Sequence, residues 1–157
     1  MSEAEVEICE GSVADLDAVM RVMDDSFDPR FGEAWTASQC AGLLPLPGVW
    51  LTLARDAVGV AGFALARTVA DEAELLLLAV RRQSQGRGVG KTLLDHFIEQ
   101  ARQRGAARVH LEVREGNQAL SLYRQASFTL VGRRRNYYSG QTGQTYDALT
   151  LAKSVHR

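Results

Sequence analysis

The chain carries only two cysteines, Cys9 and Cys40, which stand far apart and without partners at metal-ligand spacing. A disulfide scaffold and a cysteine metal site are excluded, and both thiols read as reduced packing residues. No repeat, low-complexity tract or Pro/Ser-rich linker divides the 157 residues, so one domain over 1–157 is expected. Charge of one sign is lacking too. The 18 Lys and Arg stand against 19 Asp and Glu, a net charge of −1, so nothing draws the whole molecule toward nucleic acid or anionic lipid. The opening MSEAEVEICEG is acidic and has no continuous apolar run, so neither a signal peptide nor a membrane segment is expected and the cytosol is the default compartment. His96, His110 and His156 have no companions at metal-ligand spacing, so no metal is expected.

What is present is the balance of a soluble globular protein, 46% hydrophobic and 24% charged. VEICE alternates like a half-buried strand, and Ser12 with Asp15 opens a helix expected over residues 13 to 27. Thr36 is a fitting N-cap for a short second helix over 36 to 44. VWLTLAR, VGVAGFALART and EAELLLLAV then read as an antiparallel meander, its first turn confined to Asp56 and Ala57. An amphipathic helix is predicted from Gly88 to Gly105, then the strand ARVHLEV, a short helix opened by Asn117, and the closing strands FTLVGRR and TYDALTLA. The strand-helix-strand step over residues 74 to 113 requires a crossover and hence a parallel pair.

Between the meander and the long helix lies QGRGVGKT, residues 85 to 92. Gly90-Lys91-Thr92 satisfies the second half of a Walker A loop, but the first glycine of that motif falls on Gln85. A dinucleotide fingerprint started at Gly86 and Gly88 meets Lys91 at its last position, and an antiparallel meander is the wrong context for it. A third pattern, [QR]-x-x-G-x-[GA], is met in full from Gln85 to Gly90. There, glycines let the backbone turn tightly, so N–H groups at a helix start can face a pyrophosphate, without metal. The alternative is a strand-to-helix turn with no ligand.

That third pattern resembles the acetyl-CoA-binding signature of the GCN5-related N-acetyltransferases, the GNAT family. The order of elements is similar over nearly the whole chain, which implies an α/β (α+β) GNAT fold: a mixed central sheet with an antiparallel meander, a parallel pair at the cofactor cleft and about four helices. DEAELLLLAV, LEVREGN, LY and RRNYY further resemble the bacterial ribosomal-protein-alanine N-acetyltransferases, the RimI type.

The resemblance implies roles residue by residue. Glu112 matches the general base and Tyr123 the general acid that protonates the departing thiolate. Leu78, Ala79 and Val80 would offer backbone groups to the pantetheine arm and thioester. Gln85, Gly86, Arg87, Gly88, Val89, Gly90 and Lys91 would form the pyrophosphate loop, and Asn117 would contact the coenzyme. Two departures stand out: one residue fewer between Asn117 and Tyr123, and Ser127 where the family has Gly. Neither cysteine matches a nucleophile, so transfer within a ternary complex is implied.

The implied acceptor is a protein N-terminus, with a ribosomal protein first. The alternatives are a small amine (polyamine, aminosugar or antibiotic) or a CoA-binding sensor without activity. A monomer or weak homodimer is expected, with no nucleic acid or membrane partner. In GRRRNYYSG, Arg133, Arg134 and Arg135 read as a solvated face. By resemblance, that segment and the Trp35-Thr36 pair flank the acceptor groove, while DPRFGEA is longer than the family's loop.

Overall fold

The structure, a computed structural model, describes residues 5–155, so His156 lies outside it. Seven strands form one sheet in the order β1-β2-β3-β4-β5-β7-β6. In chain order the elements are β1 (Glu7–Gly11), α1 (Leu16–Ser26), α2 (Ala37–Leu43), β2 (Val49–Arg55), β3 (Val60–Val69), β4 (Glu72–Val80), α3 (Val89–Gln103), β5 (Arg108–Arg114), α4 (Leu120–Gln125), β6 (Thr129–Ser139) and β7 (Thr145–Ser154). The sheet is the mixed one expected: β1 to β4 pair antiparallel, and β4 pairs parallel with β5 after the crossover through α3. Helices cover both faces. Val89, Leu93, Leu94 and Phe97 of α3, with Tyr123 of α4, build one core, while Val19, Val22 and Met23 of α1, with Cys40 of α2, build the other. Burying each such aliphatic or aromatic side chain stabilises the fold by about 1.5–3 kcal/mol. Both thiols are free and packed, Cys40 fully and Cys9 partly.

The caps read from sequence are present. The Ser12 hydroxyl accepts from Ala14 N–H at 3.2 Å and the Asp15 carboxylate from Ser12 N–H at 2.9 Å. Thr36 and Gln39 exchange the equivalent bonds at 3.1 and 2.7 Å. Four boundaries differ from the expectation. Residues 13–15 form a 3-10 turn, so α1 proper starts at Leu16. Strand β3 begins at Val60, because the Asp56 carboxylate collects the N–H groups of Val58 and Gly59 and winds a longer turn than Asp56-Ala57. Helix α4 begins at Leu120 rather than Asn117, whose side chain instead caps the preceding turn. Strand β6 runs on to Ser139, pairing with β7 beyond an irregularity between Arg134 and Tyr138, where Asn136 takes φ 53°.

One irregularity opens the sheet. Leu65 pairs with Leu77 and Ala66 with Leu75, which leaves Leu76 as an extra residue in β4. A bulge of this kind reverses the alternation of side chains and bends the strand. Ala73 and Leu75 accordingly pack under α3, whereas Leu77 and Ala79 pack under α1. The pairing of β4 with β5 ends at Leu75 and Leu111. Beyond that point the β5-facing edge of β4, over Leu78, Ala79 and Val80, is left unpaired with β5.

Candidate active site

The slot between β4 and β5 widens into a cavity of about 1200 Å³. Its floor at one end is the glycine loop. The Gln85 side-chain amide donates to the Val80 carbonyl at 2.9 Å, and the Arg82 N–H donates to Asp25 at 2.7 Å, so the loop is tied to the end of β4 and to α1. Gly86 and Gly88 take φ 76° and 86°, a left-handed backbone that costs any other L-residue about 1–2 kcal/mol. Gly88 is the N-cap of α3 and supplies no capping side chain. The orphan donors of the first turn and the positive end of the helix dipole therefore meet at a bare backbone, the arrangement that suits an anion. The Thr92 hydroxyl bonds the Gly88 carbonyl at 2.9 Å and Lys91 pairs with Asp95 at 2.8 Å.

Of the residues singled out by sequence, Leu78, Ala79 and Val80 line this cavity, as do Gln85, Gly86, Gly88, Val89, Gly90 and Lys91. Glu112, Asn117 and Tyr123 line it too, so base, acid and loop candidates share one space. Arg87 is exposed and is not part of the lining. Trp35, Tyr137 and Tyr138 line the same cavity.

Glu112 projects from β5 with 18% of its side-chain surface exposed. Burial pushes its carboxyl above the ordinary value and Glu74 adds to this, while the Arg134 guanidinium and His110 pull it back. Arg134 Nε lies 3.2 Å from Glu112 Oε2, but the approach lacks hydrogen-bond alignment and leaves that oxygen without a hydrogen-bond partner. Tyr123 is buried in α4 and meets Phe128 edge-on at 6.0 Å. Burial first, then the charge of Glu33, pushes its phenol well above the ordinary value, so it stays protonated at any working pH. Tyr138 is raised by the same causes in the same order.

The departures from the family pattern are accommodated. Ser127 takes φ 71°. Its N–H bonds the Arg124 carbonyl at 2.9 Å and the Phe128 N–H the Tyr123 carbonyl at 3.1 Å, which is a Schellman stop with serine in the glycine position. Because α4 starts after Asn117, the shortened segment still delivers Tyr123 to the cavity.

Sequence reasoning missed Glu33 and Arg114. They form an ion pair at 3.1 Å, each side chain only 10% exposed, and Glu33 also accepts from the Asn117 amide at 2.6 Å. Arg114 lies 3.7 Å from the Phe31 ring centre, whose edge meets Tyr146 at 5.2 Å. Gln141 N–H bonds the Pro29 carbonyl at 3.1 Å, so the long loop after α1 is stapled to the β6–β7 turn. No sequence signal marks the pair, because the burial of the arginine that ends LEVR, and with it the need for a counter-charge, shows only once the loop carrying Glu33 is in place. Of the arginine triplet, Arg133 is held by Glu115 at 2.7 Å and Asp147 at 2.8 Å, which leaves the basic run partly neutralised.

Residues 16–128 match the Acetyltransferase (GNAT) family. The chain belongs to that family. This GNAT protein is 41% identical over 93 residues to the ribosomal protein bS18-alanine N-acetyltransferase of Haemophilus influenzae, covering 59% of this chain and 64% of that one. With the enzyme of the same name from Escherichia coli K12 it shares 40% over 97 residues, 61% of this chain and 65% of the other. The matched stretch thus spans slightly less than two thirds of those relatives. Among solved structures, the ribosomal-protein-S18-alanine N-acetyltransferase from Escherichia coli superposes with a TM-score of 0.86 at 29% identity, over 98% of this chain and 96% of that one. Arabidopsis thaliana NAA60 in complex with acetyl-CoA superposes at 0.84 with 18% identity, over 96% and 99%, a likeness of fold.

Proposed function

We propose that this GNAT protein is a single-domain, cytosolic enzyme that transfers acetyl from acetyl-CoA to the α-amine of a protein N-terminus, an alanine of a ribosomal protein being the acceptor its relatives' names point to. The observation that carries the reading is the continuity of one cavity from the Gln85–Lys91 loop, along the free edge of β4, to Glu112 and Tyr123.

The residues suit acetyl-CoA. At Gly86 nothing stands within 4 Å of where a Cβ would be, and the bare start of α3 presents donors to a pyrophosphate. Leu78, Ala79 and Val80 would carry the pantetheine arm. Asn117, whose amide already bonds Glu33, would meet it at the turn before α4. When bound, acetyl-CoA supplies the acetyl thioester. Glu112 takes a proton from the acceptor ammonium, freeing the nitrogen lone pair, and Tyr123 gives a proton to the leaving sulfur. Tyr137, Tyr138 and Trp35 wall the acceptor side.

The test is a mass-spectrometric assay with acetyl-CoA against N-terminal peptides, including an Ala-initiated ribosomal one, beside spermidine and an aminosugar. A 42-Da gain, about the mass of one acetyl group, on peptide α-amines alone supports the reading. Preferential turnover of a free amine replaces it with the small-molecule reading, and acetyl-CoA binding without any turnover replaces it with a sensor.

A further inference from the structure

The Glu33 carboxylate divides its two oxygens between two donors of one turn: Oε1 accepts from Arg114 Nε at 3.1 Å and Oε2 from the Asn117 amide at 2.6 Å. That turn is closed by the Asn117 N–H on the Arg114 carbonyl at 3.0 Å, so both donors stand on one short stretch at the end of β5. Glu33 reaches them from the loop after α1, which is fixed in place. A Cβ at Gly32 would run into the Ser139 carbonyl and one at Gly140 into the Arg30 carbonyl, so the loop lies flush against the end of β6 and the turn that follows. Stability alone does not call for the arrangement. A buried ion pair is often no more stabilising than well-packed apolar residues of the same size, which leaves orientation as its distinctive contribution.

Asn117 is pinned at both ends of its amide. Its Oδ1 accepts the Ala119 N–H at 2.8 Å while its Nδ2 donates to Glu33, and turning the amide round would set N–H against N–H at Ala119 and oxygen against oxygen at Glu33. The Ala119 bond by itself would let the amide pivot about Oδ1. The Glu33 bond stops that pivot and leaves one N–H of Nδ2 to spare. Asn117, Glu33 and Arg114 all line the cavity, beside Ala119 and Tyr123. What Asn117 has left to offer there is a donor, and its match is an uncharged oxygen such as the pantetheine arm carries on its amides and hydroxyl.

We infer that Glu33 is a positioning residue for the coenzyme: by fixing the Asn117 amide it aims the spare N–H at an oxygen of the pantetheine arm. This rests on the acetyl-CoA reading above. Glu33 acts on the coenzyme only through Asn117, and no bond is made or broken.

Titration calorimetry on the whole chain tests this with acetyl-CoA and with ADP, which has the pyrophosphate and lacks the pantetheine arm. The variants are Asn117→Ala, the paired change Glu33→Leu with Arg114→Met, which leaves no buried charge unpaired, and all three changes together. Asn117→Ala and the paired change should each weaken acetyl-CoA binding about three- to tenfold, the worth of one hydrogen bond, while ADP binds every variant as it binds wild type. The three changes together should bind no worse than the paired change, because Asn117 has already lost its aim. Wild-type acetyl-CoA affinity in the paired variant overturns the inference. So does a triple variant weakened by the full Asn117→Ala factor again, since Asn117 would then work without Glu33. Equal losses for acetyl-CoA and ADP also overturn it, because they reduce Glu33 to holding the loop. If the paired variant does not fold, Glu33→Gln takes its place in the same cycle: its amide nitrogen must face the donor of Arg114 or of Asn117, so the same losses are expected and their absence removes the role. Wild-type protein that binds acetyl-CoA no better than ADP sinks the acetyl-CoA reading itself, an outcome distinct from a tight binder indifferent to Glu33.

Discussion

The Glu33 carboxylate accepts a hydrogen bond of 2.6 Å from the Asn117 side-chain amide, joining residues 84 positions apart, and pairs with Arg114 in the same contact. Removing Glu33 would leave the Arg114 guanidinium buried without a counter-charge. Glu33→Ala is expected to lose about 3–5 kcal/mol in urea unfolding, and the double variant Glu33→Ala with Arg114→Met is expected to recover most of it. A double variant no more stable than Glu33→Ala would show that the loop staple, not the orphaned charge, sets the cost.

Ser127 holds a left-handed conformation that glycine adopts without strain. Ser127→Gly is expected to stabilise the protein by about 1 kcal/mol and to raise Tm by about 2–4 °C, with kcat unaltered. Calorimetry checks this, and a lower Tm would mean that unfolded-state entropy outweighs the relief of strain.

Glu112 gives a pH dependence with a definite sign. Burial raises its folded pKa above the ordinary 4.5, so stability from this group is complete at acid pH and declines as pH climbs through the raised value. Activity runs the opposite way, because the base must be ionised. The acid limb of kcat/KM should lie above 4.5 and move higher in Arg134→Met, which removes the charge that lowers it. Glu112→Gln should lower kcat about 10²-fold or more without loss of stability at neutral pH. An acid limb indifferent to both changes would assign it to another group.

Tyr123→Phe keeps the ring contact with Phe128 and removes only the hydroxyl. The expected outcome is a kcat about 10²-fold lower with melting temperature nearly constant. Stopped-flow detection of thiol release reads this step directly, and unchanged release would remove Tyr123 from it.

Gly88 and Gly90 differ in what they tolerate. Gly88 needs its positive φ, so Gly88→Ala should weaken acetyl-CoA binding about tenfold in titration calorimetry. At Gly90 a Cβ would meet Leu122 at 3.5 Å and Val80 at 3.8 Å, which is ordinary contact, so Gly90→Ala should bind almost as wild type.

Periodicity carried the strands, the two caps and the long helix, because each is written into neighbouring residues. The chemical residues surfaced only through motif resemblance, since Glu112 looks like any alternating strand carboxylate until the sheet opens beside it. Glu33 and Arg114 were illegible for the opposite reason. Their pairing depends on where a turn-rich loop comes to rest, and nothing local to DPRFGEAW encodes that contact. The extension of β6 beyond Arg134 to Ser139 was hidden because RNYYS suits an exposed edge strand as well as a loop.

The extra residue at Leu76 acts on β4 as an inserted letter acts on a triplet code. Everything downstream is read in the other frame: Leu77 and Ala79 serve the core that Ala73 and Leu75 avoid. Deleting Leu76 would therefore not trim the strand but transpose its last four residues, turning buried leucine toward the opposite layer and closing the seam along which a thioester could be laid. The one position that looks redundant in the run LLLL is the position that makes the enclosure possible.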